Sequence, residues 1–127
     1  LNAGIKNLYA GSANYTGLSV DAVIKAKLVP EDLVDEGKIW DSWNANVLIE
    51  PYYDGSFYIG FENVSVDACA KFVTQAGSSF FKIVVASTEV KNTDNGMDLN
   101  MATLTAACIN NDDGYGGRPV TIYFYDK

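Results

Sequence analysis

The chain has 127 residues, nine Lys plus Arg against sixteen Asp plus Glu, and no histidine, giving a net charge of −7. That length suits one domain around a single core, and the acidic balance disfavours phosphate backbones and anionic membrane surfaces, so nucleic acid is not an expected partner. Without imidazole the usual zinc, copper and haem ligand sets and the commonest neutral-pH proton shuttle are missing, which argues against a metal, a cofactor or an enzymatic activity.

Leu1, Ile5, Leu8 and Tyr9 recur at helical spacing, so residues 1–10 read as the last turns of a helix that Gly11 stops. Residues 12–46 are mostly irregular. Within them Ser19 is an N-cap candidate for a short helix with Val20, Val23, Ile24 and Leu28 as its apolar stripe, ended by Pro30. Pro30, Glu31, Asp32 and Leu33 open a further turn, and Trp40 and Trp43 flank a loop anchored by aromatic burial. Val47–Glu50 and Ser56–Asn63 form a hairpin around the Asp54-Gly55 turn signal.

Ser65 caps a helix whose stripe is Val66, Cys69, Ala70, Phe72 and Val73 and which Gly77 closes. Residues 80–87, rich in aromatic and β-branched side chains, read as a buried strand, and residues 91–98 as a polar turn region. Asn100 or Thr103 caps a helix carrying Met101, Leu104, Ala107 and Cys108; the glycine-rich loop 110–117 follows. Val120, Ile122 and Phe124 then alternate with Thr121, Tyr123 and Tyr125 as a closing strand. This order gives an α+β domain with one mostly antiparallel sheet covered by helices on one face. No stretch reaches about 18 continuous apolar residues, and an opening at Leu1 with neither Met nor basic leader reads as a processed or truncated chain.

Cys69 and Cys108 both fall on inward helix positions and admit two readings: unrelated buried thiols, or one disulfide formed in an oxidising compartment. A bond would close a loop of about 40 residues and remove roughly 4 kcal/mol of chain entropy from the unfolded state. Other signals read as ordinary structure. Asp94, Asn95, Gly96 and Asp98, and Asp112, Asp113 and Gly114, are polar turns without the spacing of a calcium loop. The sequons at Asn14 and Asn63 read as turns. Trp40, Trp43, Tyr52, Tyr53 and Tyr115 are rings that stack on sugars in other settings, with core or interface anchoring as their expected role here. Glu50 and Asp54 are paired acids without a cleft to make them a glycosidase pair.

The runs Leu8-Tyr9-Ala10, Tyr15-Thr16-Gly17-Leu18, Leu28-Val29-Pro30-Glu31-Asp32-Leu33-Val34 and Ile39-Trp40-Asp41-Ser42-Trp43-Asn44 resemble the type IVb pilins of Gram-negative bacteria. The plasmid thin-pilus and typhoid-type pilins are the nearest in pattern; the bundle-forming, toxin-coregulated and colonisation-factor pilins are more distant. Val66-Asp67-Ala68-Cys69 and Ala106-Ala107-Cys108 look like the two halves of that family's C-terminal disulfide region, which implies a bond between Cys69 and Cys108. Two departures stand out. Trp43-Asn44-Ala45 occupies the place of the family's Trp-Gly-Gly, and the long apolar N-terminal helix of such pilins is not in this chain.

The resemblance implies a pilin fold, with the end of a long N-terminal helix packed on the sheet (1–10), a connector (11–46) and a sheet and disulfide region (47–127). It further implies a structural subunit without catalysis or cofactor, polymerising with copies of itself in a helical filament for adhesion, aggregation or conjugation. The pilus assembly machinery, and a host-cell or bacterial surface receptor, would be its other partners. Its place would be the cell surface, with an inner-membrane prepilin stage held only by the missing helix. The candidate subunit-interface residues are Lys25, Lys27, Glu31, Asp32, Asp35 and Glu36 on the connector, and Lys71, Lys82, Lys91 and Asp94 on the disulfide-bounded region. A minor tip pilin, a secreted adhesin binding a receptor or glycan through 92–100 or 110–117, and a type II secretion pseudopilin are the alternatives.

Overall fold

The computed structural model describes residues 1–12, 14–40, 46–109 and 119–127, without the side chains of Trp40 and Asp54. Trp43, the residues after it in the Trp-Asn-Ala run, and the glycine-rich loop with Asp112, Asp113 and Tyr115 lie outside these. The helices are α1 (Asn2–Leu8), α2 (Val20–Lys25), α3 (Val66–Ala76) and α4 (Met101–Ile109). The strands are β1 (Val34–Asp35), β2 (Lys38–Trp40), β3 (Asn46–Pro51), β4 (Phe57–Val64), β5 (Lys82–Val85), β6 (Thr88–Asn92) and β7 (Val120–Asp126). They form one antiparallel sheet in the order β1-β2-β3-β4-β7-β5-β6. The chain is thus α+β, as its pattern of elements predicts.

Alternation decides which side chains meet the helices. In register, Val47, Ile49, Phe57, Ile59, Ile83, Val85, Ile122 and Phe124 point to one face and are buried there. Ile5 of α1, Val23 of α2, Cys69 and Val73 of α3, and Leu104 of α4 complete that core. Phe57 and Phe124 are its largest fully buried side chains, each contributing about 1.5–3 kcal/mol. The Phe124 ring lies 5.7 Å from Phe61, 5.3 Å from Phe72 and 5.0 Å from Phe80, an aromatic cluster that seats α3 on the centre of the sheet. At the end of β7 the buried Asp126 accepts from Asn2 Nδ2 at 2.9 Å and faces Lys6 Nζ at 3.5 Å, fixing α1 against the last strand.

Three caps follow from local chemistry. Ser19 Oγ accepts from Ala22 N, Ser65 Oγ from Ala68 N and Asn100 Oδ1 from Thr103 N, so Asn100 rather than Thr103 begins α4. Other local expectations are corrected. The first two strands, β1 and β2, lie inside the segment expected to be irregular; Glu36 and Gly37 both adopt positive φ, 50° and 74°, which is the two-residue turn that matches strand twist. In the same way Ala86 and Ser87, at 48° and 69°, turn β5 back into β6, so the strand expected over 80–87 ends before them, and Lys91 and Asn92 belong to a strand and not to the polar turn region. Helix α2 stops at Lys25, well before Pro30, because Lys27 turns left-handed at φ 58°. The β3–β4 loop spans residues 52–56 around a short 3-10 turn, with Tyr52 N donating to Ser56 O. Gly77 ends α3 in a right-handed conformation that runs on into another 3-10 turn. Asn14 makes a turn, its Oδ1 accepting from Thr16 N, but Asn63 sits in β4 at an irregularity of the β4–β7 register.

Candidate interaction surfaces

The two cysteines are one bridge. Each lies on the buried side of its helix, their Cα atoms are 5.8 Å apart, and the bond ties α3 to α4 across 39 residues of sequence. It secures a short helix: α4 has nine residues and buries only Leu104, Ala107 and Cys108. Below about 12 residues a helix is marginal without tertiary support, so the cross-link and the contacts of α4 with β5 and β6 hold it.

The connector candidates gather on one side of the sheet. Glu31 and Asp32 lie on a 3-10 turn leading into β1, and Asp35 and Glu36 on the β1–β2 turn, all exposed. Lys25 is the last residue of α2, which packs over β2 and β3, and pairs with Asp21 at 3.0 Å, while Lys27 lies just beyond the helix end. Lys82, Lys91 and Asp94 belong to the opposite edge, around β5 and β6, and Lys71 is exposed on α3. These four are not alike. Lys91 turns inward, its Nζ donating to Gly77 O at 2.7 Å, and Lys82 is half-buried, whereas Asp94 pairs with Lys127 at 3.0 Å on the surface. The first group carries two lysines against four acids, the second three lysines against one.

On the sheet face away from the core, pattern reading misses an array of tyrosines. Tyr58, Tyr123 and Tyr125 are neighbours in register, and Tyr52 joins them from the β3–β4 loop, with ring centroids 4.9–6.1 Å apart. Lys82 Nζ lies 4.8 Å from the Tyr125 ring centroid and 5.6 Å from that of Tyr52. Tyr58 donates to Glu50, and burial together with this bond and the Glu50 charge holds its phenol well above the usual range. Burial, then the neighbouring Tyr52, Tyr123 and Glu89, raises Tyr125 as well. The alternating tyrosines of β7 were the signal available in the sequence. Among the described residues, no three His, Cys, Asp or Glu side chains converge as ligands, and no helix is long and apolar enough to cross a membrane.

A family model described as the N-terminal part of PilS matches residues 1–118. The chain belongs to the PilS family of type IVb pilins. The pilin is also similar in fold to TcpA, a type IV pilin from Vibrio cholerae El Tor biotype, with a TM-score of 0.72 at 15% identity over 99% of this chain and 92% of that one. No curated protein matches it. In this pilin the bond between Cys69 and Cys108, which the resemblance implied, ties α3 to α4 in the C-terminal region.

Proposed function

We propose that this pilin is the repeating structural subunit of an extracellular type IVb filament serving adhesion, aggregation or conjugation. The observation that carries the reading is the match of the PilS family model to residues 1–118, together with a likeness in fold to a type IV pilin over 99% of this chain. The connector candidates around β1 and the end of α2, and the candidates around β5 and β6, lie at opposite edges of the sheet, which gives each copy two different patches. An open fibre needs two different, complementary patches on each copy, since a self-complementary patch closes into a dimer and stops growth.

On this reading the partners are further copies of the chain, the pilus assembly machinery, and a surface receptor on a host cell or another bacterium. The subunit waits in the inner membrane as a prepilin and works on the cell surface; its role is structural and not enzymatic. Antibodies raised against the chain, used with gold labelling in electron microscopy of the producing cells, test the proposal. Gold is expected along the whole length of surface filaments, which disappear when the gene is deleted. Label confined to filament tips, as for a minor pilin, or retained in the cell envelope, as for a pseudopilin, overturns it.

A further inference from the structure

Asn14-Tyr15-Thr16 and Asn63-Val64-Ser65 both satisfy the Asn-X-Ser/Thr pattern read by asparagine glycosyltransferases. The pattern treats the two alike, but the fold does not. We propose that Asn14, and not Asn63, is an acceptor for N-linked glycosylation from a diphosphate-activated sugar donor.

Asn14 and Thr16 are both exposed on the connection between α1 and α2. Asn14 Oδ1 accepts from Thr16 N at 3.0 Å and from Thr16 Oγ1 at 2.6 Å. A backbone N–H can only donate, so the bonded atom is the amide oxygen and the nitrogen is the other one. Nδ2, the atom that a sugar would join, is therefore left without a hydrogen-bond partner among the described residues. The middle residue pins the turn from below. The Tyr15 ring lies 5.5 Å from Tyr9 of α1 and 4.6 Å from Phe57 of β4, and its carbonyl accepts from Leu18 N at 3.0 Å. Gly17 carries the turn onward at φ 89°, where a Cβ would meet no atom within 4 Å, so the space around it is open. A bulky hydrophilic group on Asn14 displaces nothing.

The second sequon is built into the sheet. Val64 is 1% exposed and pairs with Val120 of β7, and Ser65 Oγ is engaged as the cap of α3, accepting from Ala68 N. Presenting Asn63 to an enzyme would draw Val64 out of the core and uncap the helix.

In the transfer, Nδ2 forms a bond to the anomeric carbon of the donor while the bond from that carbon to the diphosphate oxygen breaks. The diphosphate leaves with the bonding pair, and one Nδ2 proton passes to a base of the transferase. A nucleotide-linked hexose and a polyprenyl-linked oligosaccharide offer this same diphosphate chemistry. None of Asn14, Tyr15 and Thr16 is among the candidate interface residues, and Tyr15 rests on the start of β4, in the middle of the sheet and away from both edges. The inference goes beyond the proposed function, and because it is read on the isolated chain, its failure leaves the filament reading standing.

The test treats the folded chain in two arms. One uses UDP-glucose with a soluble asparagine glucosyltransferase; the other uses a polyprenyl-diphosphate oligosaccharide with a membrane oligosaccharyltransferase that requires only the three-residue pattern. Proteolytic peptides are then read by mass spectrometry. A glycan on Asn14 is expected in at least one arm, and the arm that delivers it identifies the donor. Its occupancy should exceed that of Asn63 by about tenfold or more, the ratio expected if Asn63 is reached only by unburying Val64. Asn14→Gln and Thr16→Ala should each remove the adduct and Thr16→Ser should retain it, with the thermal midpoint unmoved by Asn14→Gln. An unmodified Asn14 in both arms, occupancy of Asn63 approaching or exceeding that of Asn14, or an adduct that persists in Asn14→Gln each overturns the proposal.

Discussion

Tyr58 is where alkaline pH reaches this fold. Its phenol is raised above the ordinary value of about 10 by burial first and by Glu50 second, and Tyr125 beside it is raised by burial and its neighbours. A group whose folded pKa exceeds the unfolded one binds its proton more tightly when folded. Its stabilisation is complete below about pH 10 and disappears as pH rises through the folded value. Urea midpoints should therefore fall above about pH 10, and more gently in Tyr58→Phe, which keeps the ring and lacks the ionising hydroxyl. Equal alkaline slopes in the two proteins would refute this. Gly60 marks a second constraint on the same face. A Cβ there would stand 3.0 Å from two ring atoms of Tyr123 and 3.3 Å from Leu48 Cβ, because the tyrosine lies across the bare backbone. Gly60→Ala should cost about 1–3 kcal/mol. A double-mutant cycle with Tyr123→Ala should recover part of that loss; additivity would place the strain elsewhere.

At the scale of elements, the α3–α4 bridge is the cross-link on which the C-terminal region depends. Cys69→Ala with Cys108→Ala should lower unfolding free energy by about 2–5 kcal/mol, read from urea titrations, with amide exchange in α4 accelerating before that in β4 or β7. Undiminished protection of α4 would mean that Leu104 and its neighbours hold the helix without the bond. The helices and the longer strands were legible because each carries its own instructions: Ser19, Ser65 and Asn100 as caps, and period-two alternation in β4 and β7. The turns at Glu36-Gly37 and Ala86-Ser87 were not legible. Alanine, serine and glutamate have no local preference for positive φ, so pairing of the flanking strands imposes it, and the short strands β1, β2 and β6 become visible only through their partners.

Across the whole molecule, the connector candidates and those around β5 and β6 lie at opposite edges of the sheet, and on the proposed reading head-to-tail contact in the fibre joins them. Asp35→Lys with Glu36→Lys, both exposed at a turn, should leave the monomer's stability within about 0.5 kcal/mol and sharply reduce the yield of sheared filaments. Adding Lys71→Glu should restore part of that yield. Full yield from the first variant would exclude this edge as a contact. Composition, capping residues, apolar periodicity and the family likeness were sufficient to establish the class of fold, the elements that carry it and the absence of histidine chemistry, since these depend on residues near one another in the chain. Only the tertiary structure decided that β7, last in sequence, lies between β4 and β5. It likewise assembled Asn92, Lys82 and Tyr53 around one cleft and set the connector candidates at the sheet edge opposite β5 and β6. Those outcomes rest on pairings between distant segments, whose free energy belongs to cross-strand packing and burial and leaves no mark in the local sequence.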